Sequence, residues 1–154
     1  MNGKTISQDY ANNLIFELEK AFWDERGKGA RFRLTTVGCE FFKTRCLPRL
    51  QSTEIDDMVR AVESALLEEG IVSGLSAAAD GRMLRVRIEG CAHRSVEDRM
   101  IANETKPFTC VPGNLIVLAI EEKLDRPAEL AEIKLEEDAC QVLLVLFDKR
   151  PFIE

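Results

Sequence analysis

Through residues 8–26, Tyr10, Leu14, Ile15, Leu18, Phe22 and Trp23 fall at helical spacing, with Glu17, Glu19, Lys20 and Asp24 between them. This predicts a helix that buries the apolar stripe and ends at the glycines of "RGKG". A second helical segment is expected over 36–47, presenting Val37, Phe41, Phe42 and Leu47 and stopped by Pro48. In "STEIDDMVRAVESALLEEG" a third helix is expected, with Ser52/Thr53 as cap and acidic residues in its first turn, where the helix dipole favours them. Its stripe is Ile55, Met58, Val59, Val62, Leu66 and Leu67, and Gly70 closes it.

The period then changes. In "IVSGLSAAADGRMLRVRIEG" the pair Asp80-Gly81 separates two strand-like runs, which signals a hairpin. Leu84, Val86 and Ile88 alternate with Arg85, Arg87 and Glu89, so one face of that arm is expected buried and the other polar. A short helix over 96–102 and a longer one in "VPGNLIVLAIEEKLDRP" follow. The run from Leu115 to Ile120 is apolar all round and demands cover on most sides. A second hairpin closes the pattern. "AEIKLEE" alternates, whereas "CQVLLVLFD" is nearly continuously apolar and asks for a central place in the sheet or cover on both faces. The order of helices, hairpin, helix and hairpin predicts an α+β fold, with helices packed on an antiparallel sheet of two β-hairpins. No linker or repeat divides residues 1–154, so a single domain is expected.

Charge and composition narrow the function classes. The net charge is −6, with nine Lys/Arg against six Asp/Glu in residues 1–50 and twelve against twenty-one in 51–154. An acidic bulk repels a phosphate backbone unless a compact basic patch overrides it. Arg31, Arg33, Lys43, Arg45 and Arg49 read as solvated helix flanks, because no aromatic platform or groove-reading motif accompanies them. Nucleic acid is therefore not an expected partner. No apolar run approaches the roughly 20 residues of a membrane span. The stretch "MNGKTISQDYANN" has no apolar signal core, and five cysteines, an odd number, suit reduced thiols in the cytoplasm.

The candidate chemistry is carried by cysteine. Cys91 and His93 in "GCAHR" would project the same way from an extended segment, and Cys110 and Cys140 would complete a tetrahedral set for zinc or iron. The competing reading is that these thiols are small hydrophobes in the core, since no Cys-x-x-Cys occurs. Cys39 and Cys46, two helical turns apart, are expected to pack and not to share an ion. No Gly-rich phosphate loop, nucleophile elbow or zinc-protease pair is present, and no catalytic residue is assigned. The aromatic excess asks for more cover than one chain supplies. Phe22, Trp23, Phe41, Phe42 and Phe108 are the expected lining of an apolar pocket between helices and sheet. Phe147 and Phe152 add further bulk. A small apolar ligand and a homodimer are the expected partners.

Four segments, "LRVRIEGCAH", "FTCVPGNLIVLAIEEKL", "IKLEEDAC" and "CQVLLVLFD", follow one another in an order that resembles the 4-vinyl reductase domain family. That family is similar in fold to the small subunits of the vesicle-tethering TRAPP complex, and the resemblance covers roughly residues 11–147. It implies a non-catalytic small-molecule-binding regulatory or accessory domain, with cysteines thought able to hold a metal. The matching positions are Cys91, Cys110 and Cys140. The chain departs from the family pattern in lacking a glycine-containing spacer with a further cysteine around its last strand, and a second glycine in the helix after Cys110. A pure protein-interaction module, as in TRAPP, is the remaining expectation.

Overall fold

The computed structural model describes residues 4–30 and 34–148. Phe152, Arg31 and Arg33, singled out above, lie outside the described residues. The fold is α+β with a four-stranded antiparallel sheet. Helix α1 runs Gln8–Arg26, started by the Ser7 hydroxyl, which accepts from the Tyr10 N–H at 3.0 Å, and ended by Gly27 at φ +59°. Residues 39–49 form a compact helical segment, α2, with a π turn at Phe42–Cys46 and a tight 3₁₀ turn at Leu47–Arg49. Pro48 sits inside that last turn and does not stop the segment earlier, because the first turn of a 3₁₀ helix needs no N–H from it. Helix α3 is Ile55–Glu68, α4 is Arg94–Ala102 and α5 is Val111–Leu124. The strands are β1 Gly74–Asp80, β2 Met83–Glu89, β3 Ala128–Leu135 and β4 Ala139–Leu146.

Each hairpin forms where the turn residues placed it, and the two join through β2 and β4 to give the order β1-β2-β4-β3. The most apolar strand, β4, is therefore internal, as its composition demanded. Its register sets Leu84 against Leu144 and Ile88 against Cys140. Helices α3 and α5 cover one face of the sheet, and the π turn of α2 packs on these two helices. Leu84, Val86, Ile88, Val142 and Leu144 from the strands meet Met58, Val62, Leu66, Leu115, Ile116 and Ile120 in one continuous core. Gly113 lets α5 lie close to the sheet. A Cβ there would stand 3.3 Å from both Leu130 Cδ1 and Val142 Cγ1. The opposite face carries Met83, Arg85, Arg87, Gln141, Leu143 and Val145 and has no layer over it among the described residues.

Helix α1 lies against α4, outside this core. Here the sequence expectation needs correcting. Tyr10, Leu14 and Leu18, read as a buried stripe, are exposed, and Leu18 is 71% accessible. Of the expected stripe, Ile15, Phe22 and Trp23 are partly covered, and with Phe16 the two aromatic residues pack beside Met100 and Phe108, while only Asn12 is fully buried. Polar anchoring decides the rotation. Asn12 donates to the Ala92 carbonyl at 2.7 Å and to Ser95 Oγ at 3.0 Å, and Arg99 pairs with Asp9. Leu67 of α3, also expected inside, is exposed.

Candidate functional site

Two places bring chemistry-bearing residues together. The first follows β2. Gly90 takes φ +59° because Ser73 packs where a side chain would go, with Ser73 Cβ 2.9 Å from an ideal Cβ. The Ala92 N–H then donates to Ile71 O at 2.7 Å, which pins the turn carrying Cys91. The chain does not stay extended, since His93 already caps α4, with φ −97° and ψ 6°. Cys91 and His93 consequently do not present side chains in parallel. The His93 ring turns to Asn12, with Nδ1 3.1 Å from Asn12 Oδ1. Because the Asn12 amide nitrogen already donates twice, that oxygen is the acceptor and Nδ1 carries the proton. Burial lowers the His93 pKa and favours a neutral imidazole.

Cys140 lies close enough to bear on the ionisation of Cys91, Cys91 and Cys140 both bear on Cys110, and Glu97 of α4 bears on all three. Glu97 is 8% exposed, and its Oε2 has no hydrogen-bond partner among the described residues. Burial pushes its carboxyl up to about 7, the Cys91 thiol up to about 11 and the Cys110 thiol well above its usual range. Arg94, the neighbouring cation, approaches Cys140, with Nη1 4.0 Å from its Sγ, and is otherwise held by the turn between β3 and β4 and by its own helix. It donates to the carbonyls of Ala139 and Glu136 and pairs with Asp98 at 3.0 Å. A cavity of about 150 Å³ opens beside Cys91, Arg94, Asp138 and Cys140.

This arrangement keeps thiols as thiols. Only the His93 backbone N–H, and not its ring, approaches Cys91 Sγ, at 3.4 Å, so no thiol–imidazole pair is formed. Among the described residues no three or more His, Cys, Asp or Glu side chains are arranged to hold a metal ion. The four-ligand set Cys91, His93, Cys110 and Cys140 is not assembled as one, because the turn into α4 swings His93 onto Asn12. Cys46 is fully buried in the core and Cys39 only half-buried. The π turn between them shifts the helical phase, so seven residues no longer restore the same face.

The second place is a groove of about 390 Å³ beside β3. Its apolar lining is Ile101, Pro107, Phe108, Leu130, Ile133 and Leu135, and its charged lining is Lys106, Glu132 and Lys134. Ile101 of α4 and the stretch 105–110 form one wall of the groove, and β3 forms the other. Thr105 N–H donates to Met100 O at 2.9 Å to start that stretch. Asn114 holds α5 against the chain at 34–37, donating to the carbonyls of Leu34 and Val37 at 3.1 Å each.

The five aromatic residues expected to line one pocket are divided. Phe42 is in the main core with Phe41 packed on it, whereas Phe22, Trp23 and Phe108 form the small cluster under α1. Of the five, Phe108 borders the groove. Glu97, Asn12 and Asn114 escaped sequence reading altogether. The available signal was positional, since Glu97 falls between His93 and Met100 on the buried side of a short helix. Among the described residues no helix is long and apolar enough to cross a membrane. No protein-family model matches the chain, and no curated protein matches it.

Proposed function

We propose that this chain is a non-catalytic, small-molecule-binding accessory domain of the 4-vinyl reductase type, working in the cytoplasm as a dimer. The ligand occupies the groove between β3, α4 and the stretch 105–110. The observation that carries this reading is the groove itself. At about 390 Å³ it falls within the range of small-molecule sites, roughly 300–1,000 Å³. Its apolar floor of Ile133, Leu135 and Phe108 suits a flat or branched hydrocarbon, and Lys106 in its charged lining suits an acidic end group. A non-catalytic role is supported by the buried, protonated thiols and the imidazole turned away from them.

Trp23, the one tryptophan of the chain, packs against Phe108 and gives a direct readout. Titration with anilinonaphthalene sulfonate should give saturable binding with energy transfer from Trp23. Ile101→Glu, at an exposed position on the groove, should weaken that binding while leaving the circular dichroism spectrum unchanged. Absence of saturable binding by the unaltered protein, together with a native mass spectrum free of any bound small molecule, would refute the reading.

A further inference from the structure

Strand β3 ends the sheet, and one bond fixes which of its backbone groups are unpaired. The Glu136 N–H donates to Ala139 O at 2.8 Å in the turn to β4. Bonded and non-bonded pairs alternate along an antiparallel ladder, so Lys134–Gln141 and Glu132–Leu143 are the bonded pairs that follow. Ile133 and Leu135 therefore direct their N–H and C=O groups away from β4, toward the open edge. Their side chains lie on the helix side, in the groove, whereas Glu132 and Lys134 also border the groove but alternate to the face of Arg85, Gln141 and Leu143 and are exposed. Neither charge has an ion-pair partner among the described residues.

We infer that two copies of this chain pair through β3, antiparallel about a two-fold axis at Ile133, and that the second copy supplies the missing wall of the groove. The axis sets Glu132 opposite the partner's Lys134 and Lys134 opposite the partner's Glu132. Moving it by one position along the strand sets Glu132 against the partner's Glu132, or Lys134 against the partner's Lys134. The charges thus select one register out of three, which an edge guarded only by lysines would not do. The bulge at Ala131, between Leu130 and Glu132, bends the strand and confines the pairing to its straight half. The partner's Ile133 and Leu135 then continue the apolar floor, and its stretch 105–110 faces that of the first copy across the junction. The closing of the groove rests on the ligand reading above, but the pairing does not.

Sedimentation analysis of four proteins tests it. The unaltered chain should be dimeric. Glu132→Lys alone and Lys134→Glu alone each create two like-charge pairs and should raise the dissociation constant by about tenfold or more. The double variant Glu132→Lys/Lys134→Glu should recover the dimer, and an equimolar mixture of the two single variants should form a heterodimer. Both changes are at exposed positions, and circular dichroism checks that the chains fold. A monomeric unaltered chain at about 100 μM, or a dimer indifferent to both single reversals, overturns the inference. A monomer that still binds anilinonaphthalene sulfonate removes the pairing and leaves the ligand reading. A dimer that binds none does the reverse.

Discussion

The indole of Trp23 lies 5.2 Å from the ring of Phe108, tilted by 34°, and this contact ties α1 to the strip of chain that walls the groove. Phe108 is buried between the two, so its removal acts on both. Phe108→Ala is expected to cost roughly 3 kcal/mol in urea unfolding and to red-shift Trp23 emission in the still-folded protein. An unshifted spectrum would mean that α1 is held without this ring pair.

The seat of α1 should also depend on pH. Glu97 of α4 bears on Glu19 of α1, and burial pushes the Glu19 carboxyl up to about 8 and that of Glu97 up to about 7, from a usual value of 4.5. A carboxyl whose pKa is raised by docking binds its proton more tightly in the docked state. Docking is therefore favoured fully below about 4.5 and weakens as pH rises through about 7 and about 8. The charged groups that bear on Glu97 are Arg94 and Asp98, and Glu97 in turn bears on the thiols of Cys91, Cys110 and Cys140. Trp23 emission and amide exchange in α1 should report loosening across this window. The double variant Glu19→Gln/Glu97→Gln should give a flat profile, and an identical transition in that variant would assign it to other groups.

Gly90→Ala should be more damaging than its exposed position suggests. It places a side chain at φ +59° and drives it into Ser73, so a loss of roughly 2 kcal/mol or more is expected in thermal or urea unfolding. Gly81→Ala, at a comparable φ of +63° with open space around it, provides the control for backbone strain alone. Equal losses at the two glycines would show that the Ser73 contact is immaterial.

Asn114 is nearly inaccessible and bridges three chain segments through Leu34 O, Val37 O and Thr109 Oγ1. Asn114→Leu keeps the volume but leaves those carbonyls unanswered. A cost of about 2 kcal/mol is expected, with increased amide exchange over residues 34–38. Exchange unchanged in that segment would contradict the bridging role.

Much of the architecture was legible because it rests on local rules. Asp80-Gly81 and the alternation of Leu84, Val86 and Ile88 are sufficient to specify a hairpin and its buried face. The unbroken apolar run of "CQVLLVLF" places β4 inside the sheet. What escaped reading depends on partners distant in sequence. Tyr10, Leu14 and Leu18 of α1 are expected inward because apolar area usually governs the rotation of a helix, and they are exposed although Phe22 and Trp23 of the same stripe are partly covered. Here hydrogen bonds from Asn12 to residues around His93 govern the rotation. The candidate site was misread for a related reason. Parallel projection of Cys91 and His93 assumes extended backbone, and the chain turns into α4 one residue too soon. Glu97 could not be recognised as buried without knowing that α1 would cover it.

The two central strands come from different hairpins, and this governs how the molecule must assemble. Each hairpin closes a short loop and can form by itself, yet neither can bury its apolar face alone. Leu84 must find Leu144 across two intervening helices before the core exists. That long search is the slow, entropy-limited event. Weakening the seam between β2 and β4 should therefore retard refolding far more than comparable damage to either outer strand.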